Sequence, residues 1–175
     1  MIAAPIPPPA PPPCVRILRV EVFKQTRTLV AECERGARVT MTAALGRRPL
    51  GPKRDAGDLR TPEGTYHVSG EREPSRFHGF LPIDYPSVAD AQEARRARRI
   101  SQVDLERILA AHQASAPIPA DTPLGGRLGL HGEGERWRGD SADLDWTYGC
   151  IAVSDDEFDF LTERLELGVP VTIHP

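Results

Sequence analysis

Seven of the eighteen prolines in this chain of 175 residues fall between Pro5 and Pro13. Proline fixes φ and removes a backbone donor, so such a run favours extended polyproline geometry and excludes a helix or a central strand. Residues 1–13 therefore read as a disordered arm or linker, and one folded domain is expected over residues 14–175. The run has neither a basic leading segment nor a continuous apolar stretch, so it is not a signal peptide as it stands. The remaining length suffices to bury about two thirds of the unfolded surface in a single core. With 25 acidic against 22 basic side chains the net charge is −3, which argues against a nucleic-acid binder that relies on bulk positive charge. No window approaches the roughly 18 apolar residues of a membrane span, so the sequence reads as a soluble chain. Three cysteines are too few for a disulfide scaffold, and an odd number leaves at least one thiol unpaired within the monomer.

Hydrophobic periodicity divides the rest. Val15, Ile17, Val20 and Val22, then Leu29, Val30 and Ala31, flank the polar Lys24–Arg27, and Arg38–Thr42 continues the alternation, which predicts a meander of short strands. Gly46–Asp58 is rich in Gly, Pro and basic residues and reads as an exposed polar loop. Thr61-Pro62-Glu63-Gly64 reads as a turn feeding a strand. Ser87–Ala94 and Ser101–Ala114 turn helical in composition, with Leu105, Ile108, Leu109 and His112 on one face and Ser101 with Asp104 as a capping box. The Arg95, Arg96, Arg98 and Arg99 cluster reads either as a basic binding patch or as the solvated C-terminal end of a helix; the second is preferred. Near the C-terminus, Ser154 and Glu157 cap a helix carrying Phe158, Leu161 and Leu165, stopped by Gly168, before a closing strand over Val169–Ile173.

The chemistry lies in the last third. Leu128-Gly-Leu-His131-Gly132 precedes a polar loop, after which comes Asp145-Trp-Thr147-Tyr148-Gly149-Cys150-Ile-Ala-Val153. A cysteine nucleophile needs a base for its proton and donors for the oxyanion formed at an acyl carbon. His131 offers an imidazole, Gly149 a close backbone approach, and Thr147 a hydroxyl to brace the turn or orient the ring. Each of Cys150 and His131 taken alone has a bland reading as a core residue. Together, His131-Gly132 and Thr147-Tyr148-Gly149-Cys150 resemble the signature of the YkuD-type L,D-transpeptidase domain, a His-Gly pair, a variable loop, then Ser/Thr-x-Gly-Cys. Thr61-Pro62-Glu63-Gly64 is similar to a further recurrent segment of that family. Ser75–His78, Asp84-Tyr85-Pro86, Leu124-Gly-Gly126 and Cys150–Val153 look most like its YafK-like branch.

The resemblance covers roughly residues 15–174 and implies an α+β, mainly β, sandwich-like catalytic domain with a helical insertion and a helix after the nucleophile. It implies an exported, cofactor-free and metal-free enzyme of the periplasm or cell envelope, whose start or leader would then lie outside this chain. By position, Cys150 is the nucleophile and His131 the proton donor and acceptor, with Gly149, Cys150 and Tyr148 N–H groups as oxyanion donors and Thr147 and Gly132 orienting. Such an enzyme forms a thioester at diaminopimelate of a peptidoglycan stem peptide, to cross-link or remodel the wall. The alternatives are a YafK-like amidohydrolase that cleaves the linkage between peptidoglycan and an outer-membrane lipoprotein, and a catalytically idle peptidoglycan-binding domain. One departure bears on this choice: where many members carry Arg two residues after the cysteine, this chain has Ala152. Arg76, Arg136 and Arg138 are candidate replacements for binding substrate carboxylates, with a solvated-charge reading standing beside the two loop arginines. His78 is either a groove residue or a polar loop histidine; His67, His112 and His174 read as structural. Trp137 and Trp146 are candidate groove walls. A zinc site on Cys150 and His131 is disfavoured, because no paired metal-ligand spacing accompanies them. Cys14 and Cys33 lie near the outer ends of the predicted first hairpin, but the register is too uncertain to assign a disulfide.

Overall fold

The structure, a computed structural model, describes residues 13–134 and 145–175; most of the proline-rich run, together with Arg136, Trp137 and Arg138, lies outside the described residues. Strands β1 (Ile17–Phe23), β2 (Thr28–Cys33) and β3 (Arg38–Thr42) form the expected antiparallel meander. A register shift between Ile17 and Arg19 moves the inward face by one residue. Ile17, Val20 and Val22 are thereby all fully buried, whereas strict alternation from Ile17 would turn Val20 and Val22 outward. The meander brings Cys14 beside Cys33, and the two form a disulfide with Cα atoms 5.3 Å apart.

Strand β4 (Gly64–His67) follows the Thr61–Glu63 segment, which is irregular and not the expected turn, with Gly64 at φ 137°. The C-terminal strand β8 (Pro170–His174) closes the chain in sequence but lies inside the sheet, parallel to β1 and antiparallel to β4, for the order β3-β2-β1-β8-β4. A second sheet of three short strands, β5 (Phe80–Pro82), β6 (Gly129–His131) and β7 (Ile151–Ala152), has β6 at its centre. Both sheets feed one core, in which Val20 and Val22 of the first share a cluster with Leu81, Leu130 and Ile151 of the second. This is a mixed, mainly β, α+β architecture.

Helices α1 (Val88–Arg96) and α2 (Gln102–Gln113) form the insertion between β5 and β6, with a small core of Ala91, Ala94, Ile100, Ile108 and Leu124. Capping boxes start both of them and α3 (Asp155–Thr162): Ser87 with Asp90, Ser101 with Asp104, and Ser154 with Glu157. The first of the three was not singled out in the sequence. Arg95 and Arg96 occupy the last turn of α1, and Arg99 folds back onto Glu93 and the Arg54 carbonyl. Helix α3 ends at Thr162 rather than near Gly168, and Leu165 packs against the core from the turn that follows. The Gly46–Asp58 loop departs from its polar, exposed reading, since Lys53 is buried in it with its ammonium 2.7 Å from Asp58. A buried ammonium requires such partners. Lys24, in the first hairpin turn, is likewise buried and donates to Glu63 Oε1 at 2.8 Å and to the Thr61 and Gly51 carbonyls.

Candidate active site

The central strand of the small sheet carries one half of the site. Gly129 lies where a Cβ would come within 2.1 Å of the Leu81 carbonyl oxygen, so glycine is what lets β6 pair closely with β5. His131, two residues on, is 4% exposed, stacked on Phe77 with ring centroids 4.9 Å apart and meeting Trp146 edge-on at 5.5 Å. Its Nδ1 lies 2.6 Å from the Gly132 carbonyl oxygen. A carbonyl only accepts, so Nδ1 carries the proton and Nε2 keeps its lone pair. The turn that follows is held from α3, whose Asp155 Oδ1 accepts the Glu133 and Gly134 N–H groups at 2.8 and 2.9 Å.

The other half is the turn before β7. Thr147 is buried and bridges to Gly46, donating its N–H to the Leu45 carbonyl at 3.0 Å. Gly46 in turn donates to Thr61 Oγ1 at 2.9 Å, so the Thr61–Gly64 segment supports this turn from behind. Thr147 Oγ1 donates to the Cys150 carbonyl at 2.7 Å and accepts the Gly149 N–H at 3.1 Å. Gly149 sits at φ 132°, and a Cβ there would come within 2.7 Å of the Arg60 carbonyl oxygen; conformation and space both call for glycine.

Cys150 and His131 line one cleft of about 240 Å³, with Tyr148, Thr147, Trp146, Phe77 and Arg127 among its other walls. Cys150 is the free cysteine of the three. Burial pushes its thiol up to about 11; the Gly129 N–H and the cations Lys53 and Arg127 act the other way without overcoming it. Burial also lowers the His131 pKa below the usual imidazole value, only partly opposed by the Gly132 carbonyl. Near neutral pH the two groups are therefore a neutral thiol and a neutral imidazole, which suits proton transfer during attack rather than a standing thiolate–imidazolium pair.

The other sequence candidates are placed apart. Arg76 lies over the Phe77 ring at 4.8 Å, and it is Ser75 and Phe77 on either side of it that line the cleft. His78, at φ 67°, turns to α3, where its Nε2 lies 2.9 Å from Asp159 Oδ1. Gly132 fits under α3, since a Cβ there would come within 2.4 Å of Asp155 Oδ1. Ala152 is buried in a small cluster with Ala44 and Trp146, its backbone bridged to Ala44 in both directions. His67 is near Asp84, His112 Nε2 meets the Pro86 carbonyl oxygen, and His174 stacks on Phe23. Sequence reasoning missed Arg127 and Glu73, which no motif marks, and Asp155, whose place inside the Ser154–Glu157 capping box signals a helix start and not a contact with the site.

Several solved structures share the fold. The helical cell shape determining protein Pgp2 from Campylobacter jejuni matches at 20% identity and TM-score 0.58, over 90% of this chain and 46% of that one. Bd1075 from Bdellovibrio bacteriovorus matches at 18% identity and TM-score 0.53, over 91% and 48%. An L,D-transpeptidase from Enterococcus faecium matches at 14% identity and TM-score 0.51, over 91% and 50%. The chain thus spans about half the length of these structures, and at such identities the likeness is one of fold. No curated protein matches. The family model of the YkuD L,D-transpeptidase catalytic domain, however, matches residues 18–173. A match running from the first strand of the large sheet into its last makes this chain a member of the YkuD family of L,D-transpeptidase catalytic domains.

Proposed function

We propose that this chain is a cysteine acyltransferase acting on peptidoglycan stem peptides, with Cys150 as nucleophile and His131 as general base and acid. The observation that carries the proposal is the tautomer imposed on His131 by the Gly132 carbonyl, which leaves Nε2 as a base in the same cleft as the Cys150 thiol. Nε2 takes the thiol proton as Sγ attacks the carbonyl at the L-centre of diaminopimelate. The resulting oxyanion is held by the Cys150 and Tyr148 N–H groups, the Gly149 N–H being engaged by Thr147 Oγ1. Collapse of this intermediate breaks the peptide bond, and the imidazolium returns the proton to the departing D-alanine amine, leaving a thioester. An amine or water then attacks the thioester, with His131 taking its proton, and the thiol is regenerated.

Residues 14–175 form the catalytic unit and residues 1–13 a tether to it, working in the cell envelope. The YafK-like amidohydrolase is the second reading, and Ala152 favours it: the position that carries a cation in many members is here a buried alanine with no charge to offer an incoming carboxylate. The test is to incubate the protein with tetrapeptide muropeptides and, separately, with lipoprotein-linked muropeptides, and to identify products by mass. Dimers support cross-linking, shortened stems carboxypeptidase action, and freed lipoprotein peptide the amidohydrolase. No product from either substrate, or product formation surviving Cys150→Ala, overturns the proposal.

A further inference from the structure

With Ala152 neutral and Arg76 outside the cleft walls, charge recognition among the described residues falls to others that line the thiol cleft. Among its described lining residues, Glu73 and Arg127 are the two that carry full charges, since His131 is held neutral. They face one another, with Arg127 Nη2 3.1 Å from Glu73 Oε2 and the guanidinium 5.8 Å from the centre of the Phe80 ring. Both residues, with Phe80, also wall a second and larger cavity of about 480 Å³, bounded on its far side by Ala111, His112 and Ser115 at the end of α2. The pair therefore stands where the two cavities meet.

Both residues are anchored by backbone while their side chains are free to exchange partners. The Arg127 carbonyl oxygen lies 4.0 Å from Cys150 Sγ, which ties this residue to the nucleophile, and Arg127 leads into β6. Glu73 and Phe80 exchange backbone hydrogen bonds at 2.7 and 2.9 Å, fixing the strand-like arm that presents the carboxylate. The side chains themselves are 71% and 46% exposed. An ion pair so exposed adds little to stability, so a ligand carrying the same two charges displaces it at small cost. Arg binds a carboxylate in a two-pronged fork, a geometry that a single 3.1 Å contact to Glu73 leaves unused.

We infer that Arg127 and Glu73 together recognise a zwitterionic α-amino-acid head group on the substrate peptide, the guanidinium taking its carboxylate and Glu73 its ammonium. This rests on the reading of the chain as an acyltransferase of stem peptides, in which the diaminopimelate side chain ends in such a group. The two residues act in specificity, by holding the far end of the side chain while its near end meets the thiol.

The test measures binding to the full chain carrying Cys150→Ala, with stem tetrapeptide as probe. The diaminopimelate head group is left free, converted to its amide, or acetylated on nitrogen. Amidation is expected to weaken binding about tenfold, or about 1.4 kcal/mol. That penalty should shrink below about twofold with Arg127→Gln added and persist with Arg127→Lys. Glu73→Gln should remove the penalty of acetylation in the same way. Equal binding of the three peptides, no binding of any, or an unchanged penalty in Arg127→Gln overturns the inference. Turnover of the same peptides by the protein with Cys150 intact separates the two levels. Equal turnover of all three keeps the reaction and discards the recognition, whereas selective binding without turnover keeps the recognition and discards the reaction.

Discussion

Two histidines of this domain are associated with Phe77 in different ways, His131 by stacking on its ring and His78 by following it in the chain. His131 is buried, and its Nδ1 partner is a neutral carbonyl. His78 is about a third exposed, and its Nε2 meets the Asp159 carboxylate, which also receives Arg72. A carbonyl in a dry setting orients an imidazole without asking it to become charged, which leaves a base at the other nitrogen. A carboxylate partner instead occupies the nitrogen that would otherwise be available. His78 and Arg72 accordingly hold the Asp159 carboxyl below its usual range. Residue type alone does not separate the two; the partner and the degree of burial do.

The comparison is broken most directly by truncating each ring in turn. His131→Ala should lower turnover of stem peptide by about 10²- to 10⁴-fold, the span of a lost general base, while circular dichroism stays native. His78→Ala should stay within about threefold, and loss comparable to that of His131→Ala would place both rings in the chemistry. The support of the first ring comes next in size. Asp155→Ala leaves the Glu133 and Gly134 N–H groups unpaired and should cost about 1–3 kcal/mol in denaturant melts. It should also lower kcat about tenfold, through misplacement of the imidazole, with little change in KM.

The ionisation of the pair supplies a third test. Alkylation of Cys150 by iodoacetamide should rise about tenfold per pH unit above neutrality and level off only near 11, because the thiolate is the reactive form. A plateau at or below neutral pH would reveal a standing ion pair and undo the reading of His131 as a neutral base. The smallest effect concerns acid stability. As pH falls through about 6.5 the unfolded chain binds a proton at His131 that the folded chain resists, so stability declines on the acid side of that value. His131→Gln should blunt the decline in melting temperature between about pH 6.5 and 5.

Much of this was legible along the chain wherever the cause is local. The Ser101 and Ser154 boxes announce helices because cap and acceptor lie three residues apart. Gly149 is the residue that its own φ and the nearby Arg60 carbonyl require, and His131-Gly132 and Thr147–Cys150 identify the family before any coordinate is known. Causes that act across the sheet were not legible. The bulge in β1 is invisible to a period-two reading, and without its register the approach of Cys14 to Cys33 could not be decided. Lys24 and Lys53 look like surface lysines until Glu63 and Asp58 fold over them. The Gly149 N–H, an oxyanion candidate by position, is turned inward by the hydroxyl of Thr147.

By itself the sequence determined which residues are the candidates for nucleophile and base chemistry, where the helices start, and that an unpaired thiol must remain among three cysteines. These follow from spacing, cap geometry and parity, all properties of neighbours in the chain. Tertiary structure alone decided that β8 lies between β1 and β4, that Asp155 steadies the turn after His131, and that Arg127 and Glu73 face one another beside the thiol. Each of these joins residues more than twenty positions apart. Their meeting depends on how two sheets share one core, a balance of packing and loop closure summed over the whole domain that no single stretch of sequence records.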